Sequence, residues 1–544
     1  MNWRLACVLL AICTTIVILV WAFKSGEGKP MLCEKQQLEV SSKETEHDAY
    51  SLVFDDLSPG EMIQVKSYLQ QNLGVPLVDH PQAKVSDNCI YSIILQLPPK
   101  EEALNYLDNQ GIRPTRQALA VVYFGNQKAP NITEYVVGPL PEPMYHQDVT
   151  VQKYGGKLPY YRRVLFRTER DEMNNFLKNK EFTKAPNFMH KAIDYNGINP
   201  IPAGLPPGLK SGDRKIWLTL YQNVSGYILH PIGLEMQMDV SSLDPSQWKV
   251  LKVFYNGQYF ESMEDLESQF NQGQVKVDKV KKAPSDGGFS SLKQRVPHTG
   301  PGPLHYEPRG PRYRIKKNHV EYMSWSFAFG MDVYKGPHVF DIRFKGERIV
   351  YELSLQDASA IYGCNSPASM MTRYMDISYG LGYDASTLIQ GIDCPYLATY
   401  LDRHYFFDSA LPVTHKNCIC IFEQNSEMPV RRHFDRAQNP FYGGLVDSVL
   451  VFRSITSAEN YDYVWDFMFH QNGAVGVRVS ASGYIQSSFF FGDASEFGNR
   501  VEKWTLGAIH THNINFKVDM DVGGLQNLLG FQSWGELSST PPEA

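Results

Sequence analysis

The spacing of apolar residues divides the chain into stretches of different texture. Leu5 to Phe23 (LACVLLAICTTIVILVWAF) is an unbroken apolar run of 19 residues. As a helix rising about 1.5 Å per residue it would cross a bilayer core of about 30 Å. A polar stretch with Gly26, Gly28 and Pro30 follows and reads as a stalk. From about Ala49 the pattern becomes that of a small mixed domain. Leu57-Ser58-Pro59-Gly60-Glu61 is a helix start, with Ser58 as N-cap, Pro59 in the first turn and Glu61 as its capping-box partner. Met62, Val65, Leu69 and Leu73 follow at helical spacing. Alternating runs at Cys89–Leu97 and Ala118–Phe124 predict strands, separated by a short helix around Glu101–Leu107.

A second unit of the same style runs from about Tyr160 to Val280. Its predicted elements are a strand at Arg163–Phe166, a helix at Asp171–Asn179, a hairpin of Lys215–Gln222 with Gly226–Leu234, and a strand at Val250–Tyr255. The order echoes the first unit, as a duplicated small α+β domain would. Lys276–Lys282 and the Pro/Gly-rich stretch to Pro311 read as a solvated linker. Beyond Tyr313 the texture is all-β. Short alternating runs (Phe340–Phe344, Ile349–Leu355, Ile419–Gln424, Gly444–Ser454, Tyr463–Ser482) are broken by Gly, Asn and Pro turns, as in a sandwich. Gln471-Asn472-Gly473 marks a tight hairpin, after which Val475, Val477, Val479 and Ala481 share one face. The expected fold is therefore α+β: a signal-anchor helix within residues 1–24, a stalk at 25–48, small α+β domains at 49–157 and 158–285, a linker at 286–312, a large all-β sandwich at 313–527 that is incomplete at its C-terminal end, and a divergent tail at 528–544.

Composition adds a compartment. The chain is 43% hydrophobic and 20% charged, with 58 acidic against 52 basic residues, which is globular and gives no basic surface for nucleic acid. The Leu5–Phe23 run exceeds the roughly 7–15 residues of a cleaved signal's apolar region, and the Trp21-Ala22-Phe23-Lys24 flank reads as an interfacial anchor. That predicts a plasma-membrane protein of single-pass type II topology with its body outside the cell. Asn131-Ile132-Thr133 and Asn223-Val224-Ser225 fit the glycosylation acceptor pattern. Cys33, Cys89, Cys364, Cys394, Cys418 and Cys420 fall in the extracytoplasmic part, where disulfides persist, and spacing alone does not pair them.

Candidate chemistry concentrates late in the chain. His510 and His512 stand at i and i+2, so on a strand both point to one face, which continues as Ile514, Phe516, Val518, Met520 and Val522 and is expected to be the buried one. Two buried imidazoles need partners. A Cu(II) or Zn(II) ion supplies them, and so do ordinary core hydrogen bonds. On the opposite face Asp519 and Asp521 are also i, i+2, either hard oxygen donors for Ca²⁺ or solvated acids. Tyr461, entering a strand at Asn460-Tyr461-Asp462-Tyr463, is by spacing alone half-buried packing.

Together these segments resemble one family. Ser457-Ala458-Glu459-Asn460-Tyr461-Asp462-Tyr463 is similar to the quinone-forming signature T-x-x-N-Y-[DE]-Y of the copper amine oxidases, with Ser457 in place of the Thr. The His-x-His follows at the family's distance. Tyr374-Met375-Asp376 with Gly380-Leu381-Gly382 resembles the catalytic-base segment, and Ala360-Ile361-Tyr362-Gly363 resembles the segment whose tyrosine holds the quinone. Gly391–Tyr400 and Phe422-Glu423-Gln424-Asn425 resemble especially the animal membrane-bound primary (semicarbazide-sensitive) amine oxidases, over roughly residues 50–527.

The resemblance implies a primary-amine oxidase that uses O₂ and water to give aldehyde, ammonia and hydrogen peroxide. Topaquinone would derive from Tyr461, with Asp376 as general base, Tyr362 holding the cofactor oxygen, and Asn460 and Asp462 limiting its rotation. Copper would sit on His510 and His512. Calcium would use Asp519, the Met520 carbonyl and Asp521. The resemblance also implies a Cys394–Cys420 disulfide, an arm around Phe422–Leu450 embracing a second subunit of a homodimer, and an amine channel lined by Glu459 that favours substrates with a second positive charge. The family's third copper histidine lies downstream of the His-x-His, and this chain has none there. The resemblance thus implies a C-terminally truncated form with impaired copper binding. The alternative function is a catalytically inactive cell-surface protein acting in adhesion or dimerisation.

Overall fold

The computed structural model describes residues 53–195, 198–203, 214–283, 307–436 and 440–525. The Leu5–Phe23 run lies outside them, and no helix among the described residues is long and apolar enough to cross a membrane.

Local sequence signals set the first elements. Ser58 caps the helix Pro59–Asn72 with the expected box: Glu61 N–H donates to Ser58 Oγ at 3.3 Å, and Ser58 N–H donates to Glu61 Oε2 at 2.8 Å. The helix buries Met62, Val65 and Leu69 against the strands Asn88–Gln96 and Gln117–Phe124. The short helix between those strands is Lys100–Asn109. Its sheet does not close on itself. Asn88–Gln96 pairs on its far side with Thr399–Phe407 (Ser92 opposite Phe407, Ile93 opposite Phe406), so the first small unit continues into the strands of the β region as one ten-stranded sheet.

The second small unit keeps its own sheet, in the order 258–260, 249–255, 231–239, 215–222, 200–203. Two expectations shift there. Arg163–Phe166 is not a strand, because the helix Arg167–Phe176 begins directly after it. The hairpin partner of Lys215–Gln222 is Pro231–Asp239, since Tyr227–Leu229 turns as a short 3₁₀ segment.

The β region is a sandwich. One layer is a seven-stranded sheet built around the long strand Glu347–Tyr362, which pairs along its length with His510–Met520. The other layer is the 399–483 part of the ten-stranded sheet, including Val413–Asp435, Phe441–Ala458, Tyr461–His470 and Val475–Gly483. The last two flank the Gln471-Asn472-Gly473 turn, and Val475, Val477 and Val479 pack on the core. Aromatic side chains lock the layers together: Phe327 stacks on Phe469 with centroids 4.0 Å apart, and Phe452 meets Phe329 at 5.2 Å. Cys394 and Cys420 are disulfide-bonded, while Cys89, Cys364 and Cys418 are free and buried. Asn223 is exposed; Asn131 is half-buried and accepts a hydrogen bond from its own sequon's Thr133 at 2.9 Å.

Candidate active site

A two-residue turn places the key tyrosine. Ala458 faces Tyr461 across the hairpin, so Glu459 and Asn460 form the whole loop, with Glu459 at φ 58° in the left-handed region that non-Gly residues seldom enter. Asn460 is buried and fixes the turn by donating from Nδ2 to the Tyr484 carbonyl at 2.6 Å. Tyr461 thereby starts its strand with the ring in the sandwich's end. Asp462, one residue on, accepts from Ser457 Oγ at 2.7 Å and is not among the residues that line the adjoining cavity.

The two histidines arrive from the other layer. His510 pairs with Tyr362 and His512 with Ala360 across the Glu347–Tyr362 strand. Their face is only half-buried, and the cover ends after Phe516: Val518, Met520 and Val522 are 51%, 48% and 63% exposed, contrary to the expectation of a buried stripe. Trp465 and Phe467 reach Phe516, and the core takes in Ile514 and Phe516 but not Val518, Met520 or Val522.

The hydrogen bonds assign the tautomers. His510 Nδ1–H donates to the Ala508 carbonyl at 2.8 Å, so its Nε2 carries the lone pair that receives the Tyr461 hydroxyl at 2.8 Å. Tyr461's oxygen in turn accepts from the Tyr362 hydroxyl at 3.4 Å and the Gln486 N–H at 3.3 Å. The second histidine sits in a parallel chain. His512 Nδ1–H donates to Tyr463 at 2.8 Å, and Tyr463 donates to Asp376 Oδ2 at 3.2 Å. Nε2 of His512 is thus the unprotonated nitrogen. Burial lowers the His512 pKa, and the neighbouring His510 lowers it further, which keeps the ring neutral. Asp376 follows the strand Arg373–Met375 and is 8% exposed. Desolvation pushes its carboxyl up to about 6, against the lowering hydrogen bond from Tyr463.

Tyr461, Tyr362, Asp376, His512 and Asn460 all line one cavity of about 530 Å³. Tyr374, Tyr379, Tyr383 and Phe407 form its aromatic wall, and Arg167, Arg170 and Asp408 line it from other elements. Glu459 also faces it and accepts from the Tyr227 hydroxyl at 2.6 Å.

Cys394–Cys420 apart, the structure brings together six of the expected residues (Asp376, Tyr362, Tyr461, Asn460, His510, His512) and leaves Asp462 outside. It adds Tyr463 and Gln486. Tyr463 is legible, being two residues from Tyr461 on the same strand face; Gln486 meets Tyr461 through its backbone N–H and Tyr374 through its side-chain amide, contacts that no local pattern reveals.

Comparison with known proteins matches these elements in order. A family profile described as "Copper amine oxidase, enzyme domain" fits residues 314–539, and its N2 domain fits residues 61–146. Residues 227–296 match a domain of unknown function, DUF1965. A Bos taurus protein, "Amine oxidase [copper-containing] 3", is 46% identical over 555 residues, covering 100% of this chain and 72% of its own length.

This chain belongs to the copper amine oxidase family.

Other copper amine oxidases agree. The Bos taurus "Primary amine oxidase, lung isozyme" is 48% identical over 91% of this chain and 66% of its own, and the Homo sapiens "Amine oxidase [copper-containing] 3" is 46% identical over 88% and 64%. The solved Pichia pastoris lysyl oxidase superposes with a TM-score of 0.79 at 29% identity, covering 87% of this chain and 66% of that one. The chain thus spans about two thirds of the length of the relatives it matches. The enzyme-domain match runs past residue 527 into the stretch expected to be a divergent tail.

The family implies copper and topaquinone. The donor set fits a copper ion as far as it reaches: two imidazoles with centroids 4.8 Å apart, both with Nδ1 engaged by the protein, beside the Tyr461 phenol oxygen that bonds Nε2 of His510. Among the described residues no cluster of three or more His, Cys, Asp or Glu side chains could hold a metal ion. Calcium does not fit. The Lys100 ammonium stands between Asp519 Oδ1 at 2.7 Å and Asp521 Oδ1 at 2.6 Å, with Asp521 almost wholly buried, so a protein cation occupies the place of a divalent one.

Proposed function

We propose that this chain is a copper- and topaquinone-dependent primary amine oxidase, with Tyr461 as the cofactor precursor. The observation that carries this reading is the Tyr461 hydroxyl held between His510 Nε2 and the Tyr362 hydroxyl, in a cavity that also contains a buried, high-pKa carboxylate. His510 and His512 would hold the copper. When bound, the two groups supply the oxidising chemistry: O₂ activation, and a carbonyl that acts as electron sink for the amine.

The chain's own residues do the rest. The aromatic wall excludes water and seats the amine's carbon skeleton. Asp376 removes the proton from the carbon bearing the amine; its elevated pKa makes it a competent base near neutral pH, and Tyr463 holds Oδ2 so that Oδ1 is the accepting atom. Tyr362 fixes the oxygen at position 461 by its hydroxyl, and Gln486 N–H does so from the other element. Glu459, anchored by Tyr227, sets a carboxylate within the cavity that would receive a second ammonium group. Net consumption is amine, O₂ and water; release is aldehyde, ammonia and hydrogen peroxide. Membrane anchoring through Leu5–Phe23 belongs to the same reading and rests on that apolar run. Calcium is not part of it.

The test is to load the purified chain with copper in air and add phenylhydrazine. A coloured adduct at residue 461 supports the reading; copper bound without any adduct sinks it.

A second reading has its own observation. The hairpin of Val413–Asp435 and Phe441–Ala458 ends in apolar side chains open to solvent: Met428, Val430, Phe434, Phe441, Tyr442 and Leu445 are 43–71% exposed. Such a patch on an extended arm fits a second copy of the chain, and supports a homodimeric cell-surface protein whether or not it turns over amines. Sedimentation of the chain and of Phe434→Asp decides it: a dimer that the substitution dissociates supports the arm, and a wild-type monomer excludes it.

A further inference from the structure

Glu235 is a carboxylate that the proposed chemistry does not use. It sits at the centre of Pro231–Asp239, in the second small unit, with 2% of its surface exposed. Burial pushes its carboxyl up to about 7. A buried acid is costly unless its oxygens are matched, and here one match comes from the β region and the other from the neighbouring strand Lys215–Gln222. Ala368 N–H, in the first turn of the short helix Pro367–Met371, donates to Oε2 at 2.8 Å, while Thr219 Oγ donates to Oε1 at 3.5 Å. Ala368 itself packs against Trp217 and Phe254 of the same unit.

The bonds continue from there to the candidate site. Thr372 Oγ donates to the Ala368 carbonyl at 2.8 Å, and the Thr372 carbonyl accepts from Tyr362 N–H at 3.2 Å. Tyr362 then donates its hydroxyl to Tyr461. Residues 363–372 form the connection that leaves the strand Glu347–Tyr362 and returns as Arg373–Met375, paired Ser359 to Met375 and Ile361 to Arg373. One end of that connection is Tyr362 and the other leads into Asp376.

We propose that Glu235 is a positioning residue: by fixing the turn at Ala368 it sets where Tyr362 presents its hydroxyl to residue 461. The kinetic half of this inference rests on the amine-oxidase reading above; the structural half does not. Contiguous bonds are not coupling until measured, so the test is a double-mutant cycle with a second, activity-independent readout. Glu235→Leu and Glu235→Gln are made in wild-type and Tyr362→Phe backgrounds. In each the phenylhydrazine adduct rate of the copper-treated full chain is measured, together with amide hydrogen exchange over residues 363–376.

Glu235→Leu is expected to speed exchange over 363–376 about tenfold with no change in the helix Pro59–Asn72, and to slow adduct formation about tenfold in wild type but not in the Tyr362→Phe background. Glu235→Gln keeps an oxygen for the Ala368 N–H and should stay near wild type. Should Glu235→Leu fail to fold, Thr372→Val breaks the next bond of the same path and must give the same pair of effects. Unchanged exchange over 363–376 overturns the proposal, and so does equal slowing in both backgrounds. A wild type that forms no adduct overturns the amine-oxidase reading instead, and the exchange result still decides the role of Glu235.

Discussion

The strand His510–Met520 and the residue after it carry two pairs of polar side chains, and the pairs are satisfied in opposite ways. At the Asp519/Asp521 end the charges are closed by the protein itself: Lys100 bonds both carboxylates, and Arg348 approaches the second oxygen of Asp521 at 3.9 Å. At the His510/His512 end the partners are neutral groups: the Ala508 carbonyl and Tyr463 engage Nδ1 of the two rings, the Tyr461 hydroxyl donates to Nε2 of His510, and His512 lines the cavity. The first end is a clamp between the helix Lys100–Asn109 and the sheet; the second is a pair of imidazoles held by uncharged partners beside the cavity. Spacing of two on a strand is therefore no guide to metal by itself. What differs is whether a neighbouring element brings its own cation.

The two ends separate most clearly when an imidazole is removed. His510→Ala should lower copper affinity at least ~100-fold, since a ligand weighs more than the outer partners whose loss costs about 10–100-fold, as read by metal content after dialysis. Equal copper uptake by the variant would place the ion elsewhere. Next is the base that the histidine end reaches through Tyr463. Asp376→Asn should cut turnover by about 10²–10⁴-fold. In wild type the rate should rise with pH through about 6 and level off above it, because the carboxyl is raised to about 6 and must be ionised to take a proton. A flat profile between pH 5 and about 7 would remove Asp376 from that role.

At the aspartate end Lys100→Met leaves two carboxylates facing each other, one of them buried, at a cost of about 3 kcal/mol in urea unfolding. Added Ca²⁺ should recover part of that loss in the variant, while the wild type unfolds identically in calcium and in chelator. A wild type that gains stability with calcium would contradict the clamp. The smallest effect concerns the cavity: Glu459→Leu should shift preference from diamines toward benzylamine by about tenfold, roughly 1.4 kcal/mol, in kcat/KM ratios.

Much of this was readable in advance where local rules act alone. The capping box at Ser58 and Glu61, the hairpin at Asn472-Gly473 and the i, i+2 histidines each depend on neighbours within a few residues. Tyr461 and Asp376 were legible only as matches to a family pattern; spacing alone left the tyrosine as packing. What stayed hidden depends on partners distant in sequence. Nothing near Lys100 announces that its ammonium will meet Asp519, and Ser92 gives no sign that it will lie opposite Phe407 and merge two sheets. The exposed face beyond Phe516 is likewise hidden from the sequence, because alternation reports which side a residue takes and not what lies over it.

If Tyr461 becomes a quinone at a copper site built on His510 and His512, the modification must be found on that residue. The most direct measurement is mass spectrometry of the phenylhydrazine-treated, copper-loaded chain beside Tyr461→Phe prepared in the same way. A hydrazone-modified peptide containing residue 461 is expected in the first and no modification in the second. An unmodified Tyr461 in a chain that has bound its copper would contradict quinone formation there.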